Sequence, residues 1–355
     1  LKFLKNRLGF DFTYFSSLNG PQIYALPVAS STGFAAQNVN GITTKKVGFE
    51  ITLTGTPIKT AKFNWDINAT YATFKETLEE IYGTETGLAL NNHIFKVGER
   101  MDQIYGSSFV RDGSNNIIWS GGVPLRAPTD ITNTKFLGYA NPDYTFGLGN
   151  KFSYKNISFS FQFDGRIGGS IYDGIYHDGM NGGTSIESTQ GLIGAARLAE
   201  WQSTNNGTVA ITPKYIGPGV KIVSGTPKYA GGVITNLSEL TFAPNDVAAK
   251  VQTVAGASGY GGVDEYWMTS RSFIKLREVN LAYSLPANTL VKLKYIKGVT
   301  FSLVGRNLLY FADRKDQDTD QFAAGFNDAD RSIQRGGILQ SATARRYGFN
   351  INLNF

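Results

Sequence analysis

Large apolar side chains alternate with small or polar ones in several stretches of the chain, most regularly at its end. The last nine residues carry five large apolar side chains at every second position: Tyr347, Phe349, Ile351, Leu353 and Phe355. Glycine and asparagine fill the positions between them. Because successive side chains of a strand point to opposite faces, this pattern predicts a strand with one apolar and one polar face.

Seven further stretches show the same alternation: residues 8–14, 49–54, 63–71, 146–154, 157–163, 279–283 and 299–304. These runs approach the roughly 9 to 11 residues with which a tilted strand crosses a membrane. An apolar outer face and a polar inner face are typical of an outer-membrane β-barrel. The sequence therefore predicts an all-β, antiparallel, transmembrane barrel wall of about eight strands, and the alternative is an amphipathic edge strand of a soluble sandwich.

The connections between these stretches alternate in length. Short links join residues 54 to 62, 154 to 157 and 284 to 299, whereas long links cover roughly 16–46, 75–143, 168–271 and 312–344. Outer-membrane barrels have short periplasmic turns and long extracellular loops. Eight strands counted on this basis place both chain ends in the periplasm.

The composition favours strands over spanning helices. The chain of 355 residues has 41 glycines, 24 phenylalanines and 18 tyrosines, and only 17% of its residues are charged, which is low for a soluble surface. The sequence has no window with the roughly 18 apolar residues that a spanning helix needs. A membrane crossing is therefore predicted to use strands, since only helices and closed barrels satisfy the backbone in lipid.

Charge and reactive side chains argue against several other classes of protein. The net charge is +6, but the lysines and arginines are scattered, so no nucleic-acid partner is predicted. The chain has no cysteine, which removes disulfides and zinc–thiolate sites. The two histidines, His93 and His177, lie in separate predicted loops without a serine elbow. No catalytic residue and no cofactor are predicted, and the chain is not expected to be an enzyme.

Two groups of side chains in the predicted loops are candidates for binding. Aromatic rings on polar loops suit contact with a sugar or a peptide, and six are chosen as contact residues: Tyr105, Trp119, Tyr172, Tyr176, Trp201 and Trp267. The alternative is that these rings form small local cores of large loops. Asp316, Asp318 and Asp320 are candidates for calcium ligands. Their spacing lacks the turn glycine and the late glutamate of a calcium loop, which favours a solvated acidic loop.

Three motifs resemble the C-terminal barrel of SusC/RagA-type TonB-dependent transporters of the Bacteroidota outer membrane. They are GYANPDYTFGL at 138–148, RSFIKLREVNLAYSLP at 271–286, and GRNLL at 305–309. The second is similar to the family pattern SFIRLKNVTLGYTLP, and the resemblance extends over nearly the whole chain. The chain departs from the family at KKVGFE (45–50) and at DRKDQDTD (313–320), which replaces an acidic segment.

The resemblance implies a fold and a function for the complete protein. Residues 1–355 would be the C-terminal portion of a plugged barrel of about 22 strands. The plug and the earlier strands would lie in a longer polypeptide, which the opening on Leu1 also suggests. The implied function is TonB-energised import of an oligosaccharide or a peptide. A SusD-like surface lipoprotein would act as a lid on the loops, where the six aromatic residues would meet substrate or lid.

A second resemblance, to outer-membrane barrels in general, assigns a role to the end of the chain. A terminal strand that closes on an aromatic residue, here Tyr347 to Phe355, resembles the signal read by the machinery that inserts outer-membrane barrels.

Two other functions remain open. One is a SusC-like barrel that serves as a structural subunit of a larger outer-membrane assembly. The other is a self-contained eight-stranded adhesin, which the small inward residues such as Gly147 and Ser158 disfavour because a closed small barrel needs a filled interior.

Overall fold

One antiparallel sheet forms the body of the chain in the computed structural model, which describes residues 1–5, 7–83, 86–90, 93–291, 295–315, 318–320 and 343–355. In the described residues, eight long strands build this sheet, and the short strand Lys2–Phe3 pairs at one edge. The long strands, called the wall strands here, are β1 Leu8–Pro27, β2 Ala36–Lys59, β3 Phe63–Ile81, β4 Tyr144–Tyr154, β5 Ile157–Ile167, β6 Phe273–Ser284, β7 Gly298–Ala312 and β8 Arg346–Asn354.

The predicted wall is confirmed. Each of the eight predicted stretches lies in one wall strand, except that β8 ends at Asn354, one residue before the predicted end. Each strand pairs with its neighbours in sequence order, so the sheet is a meander from β1 to β8. Phe159 lies opposite Leu281, and Phe301 lies opposite Ile351, so the apolar positions share one face across the sheet. Among the described residues, β1 and β8 do not pair with each other, and the sheet is open.

Aromatic side chains form continuous rows on the outer face of the wall. Phe49 lies between Phe12 and Tyr71, with ring centroids 6.2 and 5.7 Å away, and Tyr71 lies 5.2 Å from Tyr144. One row therefore connects β1 to β4. Such aromatic rows are typical of the two interfaces of a membrane barrel.

A second aromatic row contains Trp65, which the alternation placed on the outer face. Its ring lies 5.6 Å from that of Phe152, and Phe152 lies 6.4 Å from Phe159. The polar side chain of Asn150 shares this face, and its Oδ1 accepts a hydrogen bond of 3.1 Å from Trp65 Nε1. This hydrogen bond satisfies the indole N–H of Trp65 on the apolar face.

The first hairpin is much longer than its alternation predicted. The expected long link at 16–46 is mostly strand, because β1 runs to Pro27, β2 begins at Ala36, and their pairing continues from Asn19–Thr44 to the end of β1. β3 likewise extends to Ile81, paired with Ile42. Backbone pairing satisfies donors and acceptors regardless of the side chains. The strands therefore continue after the apolar alternation ends.

The links at the two ends of the wall differ in length as expected where they are fully described, except that only residues 28–35 join β1 to β2. The predicted long link at 312–344 lies mostly outside the described residues. Short links cover residues 60–62, 155–156 and 285–297, the last of which contains helix α5, Ala287–Leu290. The two long links, between β3 and β4 and between β5 and β6, fold together into what is called here the loop layer. Its helices are α1 Gly174–Asn181, α2 Gly191–Ser203, α3 Val251–Ala255 and α4 Asp264–Trp267.

Short strands and single turns complete the loop layer. The strands are Leu88–Leu90, His93–Phe95, Gln103–Gly106, Ile118–Ser120, Val123–Pro124, Lys135–Tyr139, Ser170–Tyr172, Val220–Ser224, Tyr229–Ala230, Val233–Ile234, Thr241–Pro244 and Met268–Ser270. The 3-10 turns are Ile186–Thr189, Leu237–Glu239 and Tyr260–Gly262, and Ser30–Thr32 lies between β1 and β2. None of the helices in the described ranges is long and apolar enough to cross a membrane.

Candidate functional site

The inner face of the wall carries charged side chains of both signs. A hollow of about 400 Å³ is lined on this face by Arg7, Asp66, Lys151 and Glu278. A second hollow, of about 430 Å³, is lined by Glu50, Asp164, Arg166 and Asp320. Mixed charges and hydrogen-bonding groups suit a hydrated polar solute, and lipid would not satisfy them. The inner face is therefore the wetted side of the wall.

A β-bulge in β6 aims one arginine into this inner face. The pairing registers of β6 with β5 and with β7 both shift at Arg277, which has no partner residue on either side. Its Nε donates to Asp164 Oδ1 at 2.6 Å, and its Nη1 donates to Asp320 Oδ2 at 2.7 Å. Bulges commonly redirect a side chain in this way. Here the bulge joins the wall to residues that follow β7.

Those residues, 318–320, lie against the inside of β6 and β7. Lys275 is only 1% exposed, and its Nζ donates to the carboxylate of Asp318 at 2.8 and 2.6 Å and to Asp320 at 3.2 Å. Thr319 is fully buried, and its backbone N–H donates to the hydroxyl of Tyr310 at 2.9 Å. The segment 318–320 is therefore held on the inner wall by buried charge pairs.

The same contacts bear on the predicted calcium residues. Burial raises the pKa of Asp320, but the hydrogen bond from Arg277 and the charge of Lys275 together hold that pKa below its ordinary value. Asp318 and Asp320 are thus neutralised by protein cations, and Asp316 lies outside the described residues. Across the described ranges, no three His, Cys, Asp or Glu side chains are grouped so as to hold a metal ion. A calcium role stays a prediction.

Tyrosines and tryptophans form the core of the loop layer. Tyr260 stacks on Tyr266 at 4.4 Å and meets Trp119 edge to face at 6.0 Å. Burial raises the pKa of both tyrosine hydroxyls well above the ordinary value. Trp267 Nε1 donates to the carbonyl of Tyr260 at 2.7 Å. Because Trp119 comes from the first long link and Tyr260 from the second, this core fastens the two links together.

The six aromatic residues predicted to touch substrate or lid are distributed between this core and the surface. Trp119 and Trp267 are each 1% exposed and Tyr172 is 6% exposed, so in this structure they form the local core that the sequence left as the alternative. Trp201 is 58% exposed. The rings of Tyr105 and Tyr176 are partly buried. Contact with substrate or lid therefore stays a prediction that Trp201, Tyr105 and Tyr176 can satisfy directly.

Tyr105 and Tyr176 each have a defined neighbour. Tyr105 stacks on the imidazole of His93 with ring centroids 3.7 Å apart. Tyr176 lies edge to face with Trp267 at 5.3 Å, and the guanidinium of Arg314 lies 4.5 Å from its ring centre. These contacts fix the orientation of both rings before any ligand arrives.

A close contact at Trp119 gives a test of this core. A Cβ atom added at Gly217 would overlap the Trp119 indole, which is also fixed by its hydrogen bond of 3.0 Å to the carbonyl of Pro218. We expect Gly217→Ala to destabilise the loop layer by about 1–3 kcal/mol, because overpacking forces buried groups to shift. Gly113→Ala is the matched control, since a Cβ there meets open space. The measurement is the melting temperature of each variant in detergent, monitored by near-UV circular dichroism. Equal melting temperatures would contradict the packing of Gly217 against Trp119.

The chain is similar in sequence to TonB-dependent receptors of Formosa agariphila. Receptor P39 is 20% identical over 363 residues, which cover 88% of this chain and 31% of the receptor. Receptor P26 is 25% identical over 328 residues, which cover 85% of this chain and 28% of the receptor. No family model matches the chain. The chain thus spans about 30% of the length of these curated relatives.

Solved structures show the same fold. A structure of the RagAB peptide transporter matches with a TM-score of 0.59, and the RagAB peptide importer in its open-open state matches with 0.63. Both are 17% identical to this chain, and both matches cover 99% of it but only 34% and 33% of the solved chains. This partial coverage is consistent with the C-terminal part of such a barrel. Together with the receptors, these matches confirm that the chain resembles SusC/RagA-type TonB-dependent transporters.

Proposed function

We propose that residues 1–355 form the C-terminal part of the barrel wall and the loop layer of a TonB-dependent importer in the bacterial outer membrane. Its cargo would be an oligosaccharide or a peptide. The observation that carries this proposal is the two-faced sheet, with aromatic rows outside and charged hollows inside. A wall of this kind separates a hydrated passage from lipid while every strand satisfies its backbone. The sequence similarity to TonB-dependent receptors supports it.

The links at the two ends of the wall differ in length, and this difference supports one orientation of the wall in the outer membrane. The short links would face the periplasm together with both chain ends, and the loop layer would face the outside of the cell, as in other barrels of this class. The apolar side chains of β8, from Tyr347 to Leu353, are exposed at the edge of the sheet. With Phe355 they would serve as the insertion signal.

The proposal includes two protein partners. A SusD-like lipoprotein would cover the loop layer, whose helix α2 exposes Leu192, Leu198 and Trp201 to solvent. Exposed apolar groups of this kind commonly mark an interaction surface. TonB would act through the plug of the complete protein.

Uptake of labelled oligopeptides or oligosaccharides by whole cells is the measurement that tests this function. We expect deletion of the gene in its native host to abolish uptake of one labelled pool, either oligopeptides or oligosaccharides. Because TonB transmits the energy of the inner membrane, a protonophore should stop the same uptake, and the full-length gene should restore it. Unchanged uptake of both pools after deletion would overturn the proposal and favour a structural barrel.

A further inference from the structure

A small pocket opens in the loop layer among helices α1, α2 and α3. Its volume is about 310 Å³, near the lower limit for ligand pockets in proteins. The apolar part of its lining consists of Met180, Ile193, Trp201, Ile211, Val251 and Ala255. A space of this size and character accepts one apolar group and is too small for an oligosaccharide.

The one carboxylate that lines the pocket is fully engaged by the protein. Glu200 is 6% exposed, and its Oε1 accepts the backbone N–H groups of Lys214 at 3.2 Å and Val251 at 3.0 Å. Its Oε2 accepts the same Val251 N–H at 3.2 Å. Glu200 therefore fastens α2 to the start of α3 and does not balance a second charge.

Arg197 is the one cation that lines the pocket, and its charge is not balanced by a carboxylate of the described residues. Arg197 is exposed one turn before Glu200, and its Nη1 donates to the carbonyl of Gly183 at 2.9 Å and to Ser188 Oγ at 2.8 Å. In the described part of the chain, no carboxylate lies within ion-pair distance of Arg197, and its Nε and Nη2 make no hydrogen bond. The two neutral contacts fix the guanidinium, and its charge remains available to a ligand.

Trp201 stands beside this cation with 58% of its surface exposed. It is one turn after Arg197 on α2, so both side chains lie on the same face of the helix. When a ligand covers such an exposed ring, the complex is stabilised by about 25 cal/mol per Å² of apolar surface removed from water. The pocket therefore offers an apolar cavity, an aromatic wall and one uncompensated positive charge.

We infer, on the basis of the proposed function, that this pocket binds the C-terminal residue of a peptide. The terminal apolar side chain enters the cavity against Trp201, and the α-carboxylate accepts hydrogen bonds from Nε and Nη2 of Arg197. A guanidinium and a carboxylate match in charge and in planar geometry. A neutral oligosaccharide has no group that balances the charge of Arg197, although Asn181, Ser188, Thr204 and Gln252 also line the pocket.

Binding to the detergent-purified full-length protein tests this inference without any transport step. The probes are tetra-alanyl-leucine, its C-terminal amide and tetra-alanyl-glycine, each labelled at the N-terminus and followed by fluorescence anisotropy. We expect amidation to weaken binding by about 10-fold or more, because it removes the charge that Arg197 recognises. Replacement of the terminal leucine by glycine should weaken binding as well, because it empties the apolar cavity.

Variants assign each preference to its residue. Arg197→Gln should give the acid and the amide equal affinity, Arg197→Lys should restore part of the difference, and Trp201→Ala should reduce the preference for leucine over glycine. Lys214→Gln is the control, because this side chain is exposed in the same loop layer but does not line the pocket.

Two outcomes would overturn the inference. One is equal binding of acid and amide by the wild-type protein, a comparison that needs no variant to fold. The other is Arg197-dependent binding of a glucuronate disaccharide with no binding of the peptides. Since the assay measures equilibrium binding, a preserved acid preference without cellular uptake would refute only the proposed importer. Uptake without the acid preference would refute only this pocket.

Discussion

Lys275→Ala is expected to detach residues 318–320 from the inner wall. Lys275 and Asp318 are 1% and 2% exposed at their side chains, so the substitution leaves a carboxylate buried without its main partner. Removal of one member of a buried pair typically costs about 3–5 kcal/mol. The measurement is hydrogen exchange of the segment in detergent, where protection should fall by about two orders of magnitude or more, since 1.4 kcal/mol corresponds to a factor of ten.

A second lysine provides the control. Lys221 Nζ also lies 2.6 Å from an aspartate, Asp246, but the side chain of Asp246 is 70% exposed. An exposed ion pair contributes about 0–1 kcal/mol to stability, so Lys221→Ala should leave hydrogen exchange of the residues around Asp246 nearly unchanged. Equal losses of protection in the two variants would show that burial does not strengthen the Lys275 contacts.

Acidification should act in the same direction as Lys275→Ala. The folded pKa of Asp320 lies below its ordinary value, so its contribution to stability is fully present above the unfolded pKa of about 4. That contribution is lost as the pH falls through the folded pKa. Protection of residues 318–320 in the wild-type protein is therefore expected to decrease below about pH 4, and protection that stays constant there would argue against the pairing.

Local pattern was sufficient to predict the wall. The alternation of Phe159 and Phe161 with Ser158 and Ser160 depends only on which face each residue occupies, and the sheet pairs these positions as expected. The bulge at Arg277 was not predicted, because an extra residue is recognised only when the register of the neighbouring strands is known. The first hairpin was underestimated for a related reason, since backbone pairing does not require apolar alternation.

The site depended on contacts between residues far apart in sequence. Lys275 and Asp318 are separated by 43 residues, and no spacing rule connects them. The acidic residues at 313–320 were visible in the sequence, but their partners Lys275 and Arg277 could not be identified from it. Likewise, the type of a ring does not reveal its burial: Trp119 is covered by Gly217 and Pro218, about a hundred residues later, while Trp201 is exposed on a helix. A large loop uses tryptophan for both purposes.

The two faces of the wall are expected to respond very differently to charge. Phe161 lies on the outer face in the middle of β5, where its ring is 6.3 Å from Phe152 and 5.9 Å from Phe163. Arginine on the lipid face costs about 2–4 kcal/mol near the middle of the bilayer, so Phe161→Arg should destabilise the barrel by this amount or block its insertion. Ser160→Arg places the same charge beside the inner hollow and should have little effect.

The loss of ring contacts must be separated from the burial of charge. Phe161→Ala removes the same contacts without adding a charge, so the difference between Phe161→Arg and Phe161→Ala measures the penalty of charge in lipid. Ile351→Arg and Asn350→Arg repeat the comparison on β8, where the two residues face opposite sides of the sheet. The measurement is heat-modifiable gel migration of outer-membrane fractions, which distinguishes folded from unfolded barrel. Equal tolerance of arginine on both faces would mean that the aromatic face is not in lipid, because only a lipid-facing position penalises the charge.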